Sequence, residues 1–158
     1  MNSPERFRQN VAVIMTDGHG RVLLCEPIDE KCQGTVQTVQ GGIDEGETVA
    51  EAALRETQEE LGIDPSLVTI HGVMEKTFPY RWDDDHIAQR ASGFVGQEQH
   101  FAHAEIEPGT PMNLDAHHRE FSTVRWGTPQ ELIEGCWERK QPGIIAALEH
   151  FGLLVVQF

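Results

Sequence analysis

An α/β/α sandwich, a mixed sheet with helices packed on both faces, is the fold class the sequence predicts. Three observations lead there. Apolar runs of strand length alternate along the chain with stretches of helical period. One helical stretch, residues 48–61, carries capping chemistry at both ends. The chain has 158 residues, 39% hydrophobic and 24% charged, which is the length of one domain over 1–158 and the make-up of a soluble globular protein.

The elements follow in order. Residues 10–16 (Asn-Val-Ala-Val-Ile-Met-Thr) read as a buried strand, Asp17-Gly18-His19-Gly20 as a turn, and 21–26 as the hairpin partner. Residues 27–34 are a polar loop. Residues 35–39 alternate and read as a short strand that leads into a Gly41-Gly42 turn. After the 48–61 helix, residues 67–78 are β-rich, with Val68, Ile70 and Val73 as expected core. Residues 79–89 read as a polar, acidic loop in which Tyr80 and Trp82 are candidate stacking aromatics and Asp83-Asp84-Asp85 a solvated run. Residues 94–106 read as one or two strands with Gln97, Gln99, Phe101 and His103 on one face. Residues 107–119 are loop and 121–126 a strand. Thr128-Pro129 opens a short helix over 130–134. Residues 143–151 form a last helix whose apolar face is Ile144, Ala147, Leu148 and Phe151. The final residues, 153–158, are apolar for a terminus, which fits a packed strand or a partner contact. There is no internal repeat, low-complexity tract or linker.

Thr48 with Glu51 three residues on is a capping box; Gly62 supplies the stop, and Pro65 opposes a restart. Ala50, Leu54, Thr57 and Leu61 form one stripe. At roughly 100° per residue, Glu56, Glu59 and Glu60 share an arc on the opposite face. Carboxylates so close repel one another. A solvated helix would interleave lysines, and this one has a single basic residue, Arg55. A hard divalent cation such as Mg²⁺ or Mn²⁺ resolves the repulsion, since those ions take oxygen ligands. The plain alternative is an acidic helix facing water.

The stretch 41–63, Gly-Gly-Ile-Asp-Glu-Gly-Glu-Thr-Val-Ala-Glu-Ala-Ala-Leu-Arg-Glu-Thr-Gln-Glu-Glu-Leu-Gly-Ile, resembles the Nudix box, the signature of the Nudix hydrolases, over its whole length. Gly41 is followed after five residues by Glu47 and after seven more by Arg55-Glu56; then come Glu59-Glu60, Gly62 and Ile63. Thr57 stands where the family has an aliphatic residue, and its methyl can still pack. The flanks resemble one branch, the bacterial RNA 5′-pyrophosphohydrolases and dinucleoside polyphosphate hydrolases. Phe7-Arg8-Gln9-Asn10 is similar to that branch's Tyr-Arg-Pro-Asn, and 36–43 to its Trp-Gln-x-Pro-Gln-Gly-Gly-Ile. Residues 96–101 are similar to Gly-Gln-x-Gln-Lys-Trp-Phe, 120–126 to Glu-Phe-x-x-x-Arg-Trp, and Lys140 to a lysine opening the last helical region. The departures are Gln9, Val36, Val39 and His100-Phe101. They leave the fold and the box helix alone and bear on the substrate.

The resemblance implies the same sandwich and the hydrolysis of a phosphoanhydride in a nucleoside diphosphate linked to another group, with Mg²⁺ (or Mn²⁺) as cofactor. It implies Glu56, Glu59, Glu60 and Glu120 as metal ligands, joined by a carbonyl at Gln40 or Gly41. Glu56, Arg55 and Glu59 are the implied catalytic set: Glu56 is the candidate base, with water activated by metal alone as its rival, and Arg55 orients a box carboxylate. Arg8, Gln97 and Lys140 are the candidate phosphate contacts. The plain alternatives are solvated charges for Arg8 and Lys140 and a solvated strand face for Gln97 and Gln99. The implied substrate is a dinucleoside polyphosphate or a 5′-triphosphate RNA end. Another nucleotide, such as a nucleoside triphosphate, ADP-ribose or a nucleotide sugar, is the alternative, as is a non-catalytic nucleotide-sensing module. Such modules usually lose box carboxylates, and all are intact here.

A formal charge of −14 excludes broad nucleic-acid binding, which needs a basic footprint, but not a phosphorylated substrate in one local cleft. Cys25, Cys32 and Cys136 are odd in number and form no CxxC, so reduced thiols and a cytoplasmic location are expected. No apolar run reaches bilayer length, and the first residues lack a signal-peptide core, so no membrane partner is expected. Monomer and homodimer both fit. The eight histidines show no helical four-residue spacing of a zinc hydrolase.

Overall fold

The computed structural model describes residues 4–154. Its elements run β1 (Phe7–Thr16), β2 (Val22–Pro27), β3 (Val39–Gly42), α1 (Val49–Leu61), β4 (Thr69–Val73), β5 (Phe78–Arg81), α2 (Asp84–Arg90), β6 (Gly96–Glu105), β7 (Phe121–Gly127), α3 (Pro129–Gly135) and α4 (Gln141–His150). The seven strands form one mixed sheet built on β1 and β6, which pair in parallel over their whole lengths, from Phe7↔Gly96 to Thr16↔Glu105. Each of these long strands shares out its other edge. β1 takes β3 at Asn10–Val13 and touches β2 only at Thr16↔Val22. β6 takes β5 at its start and β4 at its end. β2 continues the sheet outward to β7.

Side chains of β1 alternate between two cores. Val11, Val13 and Met15 pack with Ala52, Ala53 and Leu61 of α1; Ala12 and Ile14 pack with Leu132 of α3 and with Ile144, Ala147 and Leu148 of α4. A strand covered on both faces is apolar at every position, which is why 11–15 carries no polar residue. The expected sandwich is therefore the observed one. Leu153 and Leu154 pack against the α4 core, and the apolar residues 155–158 lie outside the described residues.

Four local expectations are corrected. The strand expected over 35–39 is displaced: only Gln37 bridges to Cys25, and β3 runs through Gly41-Gly42 rather than ending in a turn there. The acidic stretch 79–89 holds β5 and α2, because Asp83 begins the helix and Asp84 and Asp85 occupy its first turn, where negative charge is favoured. Val73 is exposed on the edge strand and Met74 takes the core position, since the ladder shifts register between Ile70 and Gly72 and the faces change over. On α1 the buried face is Ala52, Ala53, Glu56, Thr57, Glu60 and Leu61, with Ala50 and Leu54 half-buried. Small residues let the helix lie close to the sheet, so two of the three carboxylates turn inward rather than away. Thr57 is fully buried and its hydroxyl donates to the Ala53 carbonyl at 2.7 Å.

Candidate active site

The site is built around the glycines that end β3. Their empty Cβ positions point to opposite faces of the sheet. A Cβ on Gly41 would run into the Glu56 carboxylate, and one on Gly42 into the Arg8 guanidinium. The double glycine thus admits an acid from the α1 face and a cation from the other. A cleft of about 400 Å³ opens across it. Glu56, Glu59 and Glu60 of α1 line it with Glu120, and so do Arg8, Asn10, Gln97 and Arg90.

Arg55 holds the acidic half in place. Its Nε and Nη2 donate to both oxygens of Glu47, at 2.8 and 2.9 Å. Nη1 donates to Glu56 Oε1 at 2.7 Å and to Glu59 Oε2 at 3.4 Å. Nη2 also reaches the Gly42 carbonyl at 2.7 Å. This grip holds the Glu47 carboxyl at a pKa of about 2 and raises that of Arg55. Glu60 accepts from the Gln40 N–H at 3.2 Å. Burial, with Glu56, Glu120 and Glu59 nearby, pushes its pKa up to about 9. Burial raises Glu56 as well, against the pull of Arg55.

The same bonds decide which β3 carbonyl is available. Gln40 N–H and Gly42 C=O point away from β1, toward Glu60 and Arg55. In an antiparallel ladder the residue between them, Gly41, turns its own groups to its partner Val11. The Gly41 carbonyl is therefore committed to the ladder, and the edge carbonyl is that of Gln40.

The other half is a polar lattice. Arg8 lies opposite Gln97 and Asn10 opposite Gln99 in the β1–β6 register. Gln97 accepts from Arg8 Nη1 at 3.3 Å and donates to the Tyr80 hydroxyl at 2.6 Å. Gln99 donates to Asn10 Oδ1 at 3.0 Å and to Gln40 Oε1 at 3.2 Å. Lys140 donates to the same Gln40 oxygen at 3.0 Å, and burial brings its pKa down to about 8. Lys140 thus stands behind Gln40 and does not line the cleft. Tyr80 and Trp82 are buried and offer no open face for a base.

The structure therefore brings Glu56, Glu59, Glu60, Glu120, Arg8 and Gln97 to one cleft, with Arg55 bracing it. It adds Asn10, Arg90, His117 and His118, which sequence reasoning missed. His117 and His118 had a signal, since they precede Glu120 by three and two residues. Arg90 had none, because its seven-residue helix is too short to show a period.

The sequence model of the NUDIX domain matches residues 6–148. The chain belongs to the Nudix family. An RNA pyrophosphohydrolase of Erythrobacter litoralis is 38% identical over 133 residues, covering 80% of this chain and 79% of that one. An RNA pyrophosphohydrolase of Roseobacter denitrificans is 31% identical over 147 residues, 92% and 91% of the two chains. The dihydroneopterin triphosphate pyrophosphohydrolase of E. coli has a similar structure, with a TM-score of 0.71 over 92% of this chain and 99% of that chain. Its identity is 18%, so the likeness is one of fold.

Nudix proteins generally use a divalent metal, and the donor set here suits one. It is made of oxygens, and Glu56 Oε2 and Glu60 Oε2 carry no hydrogen bond among the described residues. The high pKa of Glu60 is what a carboxylate cluster shows before a cation neutralises it. Among the described residues no three acidic, histidine or cysteine side chains are yet gathered tightly enough to enclose an ion. Nor is any helix there long and apolar enough to cross a membrane.

Proposed function

We propose that this Nudix protein is a Mg²⁺- or Mn²⁺-dependent pyrophosphohydrolase that cleaves a phosphoanhydride in a 5′-triphosphate RNA end or a dinucleoside polyphosphate. The observation that carries the reading is the division of charge across β3, with Glu56, Glu59 and Glu60 entering from one face and Arg8 from the other. A phosphate chain laid across the glycines meets oxygen donors at its reacting end and a guanidinium further along. The name of the two relatives supports an RNA end, and a dinucleoside polyphosphate presents the same kind of chain. A chain with a formal net charge of −14 fits recognition of that end and not of the RNA body.

Glu56, Glu59, Glu60 and Glu120, with the Gln40 carbonyl in place of Gly41, would hold the cation. When bound it neutralises phosphate charge and acidifies the attacking water. Arg55 fixes Glu56 through Oε1 and leaves Oε2 to accept the water's proton. Arg8 and Gln97 bind phosphate. Lys140 positions Gln40, and through it the N–H that fixes Glu60. The domain takes in the whole chain, 1–158, and works in the cytoplasm.

Hydrolysis assays with Mg²⁺ on diadenosine tetraphosphate, 5′-triphosphate RNA, ADP-ribose and common nucleoside triphosphates test the reading, with Glu59→Ala beside the wild type. Cleavage of the first two, abolished by the substitution, is the expected result. Turnover confined to ADP-ribose or a mononucleotide would keep the box chemistry and reject the substrate. Tight binding with no turnover would mark a sensing module.

A further inference from the structure

Twelve basic residues face twenty-six acidic ones in this chain, so an arginine readily finds a carboxylate. Among the described residues Arg21, Arg55, Arg81, Arg119, Arg125 and Arg139 each have one at 2.7–3.3 Å. Arg6, Arg8 and Arg90 have none within ion-pair distance there. Arg6 lies over the Phe94 ring and does not line the catalytic cleft; it lines a neighbouring groove that shares Arg8 and Gly42 with it. Arg8 and Arg90 both line the catalytic cleft. Two guanidiniums free of carboxylates, in a cleft that already holds four glutamates, are placed for an anion that comes with the substrate.

Arg90 is held rather than loose. It ends α2 with its guanidinium 4.6 Å from the centre of the Trp82 ring, a cation–π contact. Trp82 is only 6% exposed, and its backbone N–H donates to the Val95 carbonyl at 2.9 Å. Arg139 fastens the start of the helix, pairing with Asp83 at 2.8 Å and donating to the Arg81 carbonyl at 2.7 Å. The next residue, Ala91, has φ 49°, the one left-handed non-glycine among the described residues. It closes α2 as a left-handed cap, its N–H donating to the Ile87 carbonyl at 3.3 Å. Arg8 and Arg90 also act on a common neighbour: burial pushes the Tyr80 hydroxyl's pKa up, and both charges oppose that rise.

We propose that Arg90 is a substrate-binding residue that, with Arg8, grips the phosphates beyond those held at the carboxylates, so that the cleft selects chains of three or more phosphates over a diphosphate. The proposal rests on the pyrophosphohydrolase reading and names its specificity element. An arginine fork gives two parallel bonds to a phosphate, and its stack on Trp82 pre-organises it.

Calorimetric binding of tripolyphosphate and of pyrophosphate, with Mg²⁺ present, tests it without turnover. Loss of a charge-assisted bond predicts that Arg90→Gln weakens tripolyphosphate about tenfold and pyrophosphate less than about twofold. Arg90→Lys should fall between, since it keeps the charge and loses the fork. Arg6→Gln, which removes the same charge outside the cleft, should change neither. Equal weakening of both anions by Arg90→Gln, an effect no larger than that of Arg6→Gln, or no binding of tripolyphosphate by the wild-type chain would each overturn the proposal. If no nucleotide is turned over, the proposed function falls while this comparison still decides the role of Arg90.

Discussion

Glu60 is where burial and charge work hardest against each other. In the unfolded chain a glutamate titrates near about 4.3. In the fold Glu60 titrates at about 9, so between those values the folded state holds a proton that the unfolded state has lost. Stability then falls as pH rises through this window. In chelator, the melting temperature should drop between about pH 6 and about pH 9, and Glu60→Gln should flatten that drop. Added Mg²⁺ should stabilise more at the alkaline end, because the ion must displace the Glu60 proton. A Mg²⁺ shift independent of pH would remove Glu60 from the metal. Gly41 makes a second claim at this scale, since a methyl there meets the Glu56 carboxylate. Gly41→Ala should lower kcat by about 10²-fold, the usual cost of a small misplacement in a catalytic group, while circular dichroism stays native. These acidic positions were legible because the box spacing names them. The commitment of the Gly41 carbonyl to Val11 was not, because it depends on which strand β3 pairs with.

Helix α1 was read almost whole, and its ends explain why. The Thr48 hydroxyl accepts from the Glu51 N–H, the Glu51 carboxylate accepts from the Thr48 N–H, each at 3.1 Å, and Gly62 closes the helix at φ 67°. Thr48→Ala should cost about 1 kcal/mol in urea unfolding. Thr57, the departure from the family pattern, should tolerate valine within about 1 kcal/mol, because its hydroxyl only doubles a helical bond to the Ala53 carbonyl. A loss well beyond that would mean the hydroxyl serves the buried carboxylates instead. What misled the reading was the face. Ala50, Leu54, Thr57 and Leu61 make the better apolar stripe, but Ala52 and Ala53 permit the closer approach, and closeness decided which side went in. Helix α2 was missed for the opposite reason: its seven residues include only Ile87 and Ala88 as apolar ones, adjacent in sequence, which make no stripe.

At the scale of the molecule the layers were legible and the strand order was not. Strands covered on both faces announce themselves as unbroken apolar runs, whereas the parallel pairing of β1 with β6 joins residues 89 apart, such as Arg8 and Gln97, and leaves no local trace. That long-range pairing assembles the cationic half of the cleft, while local helix chemistry assembles the acidic half. The whole surface then opposes the substrate it is proposed to take. With a charge of −14, attraction is confined to the cleft, and the body of an RNA is repelled. Lowering the salt from about 0.15 M to about 0.01 M lengthens the screening distance from about 8 Å to about 30 Å, so the repulsion then reaches the RNA body. The value of kcat/KM for a triphosphorylated RNA of about twenty nucleotides should therefore rise a few-fold across that range of added salt. Diadenosine tetraphosphate, with no body to repel, should change less. A protein that grips RNA through a basic surface behaves the other way, losing affinity steeply as salt is added. A steep fall for this chain would mean that the RNA body is held by a local basic strip, and that the net charge misrepresents the face the substrate meets.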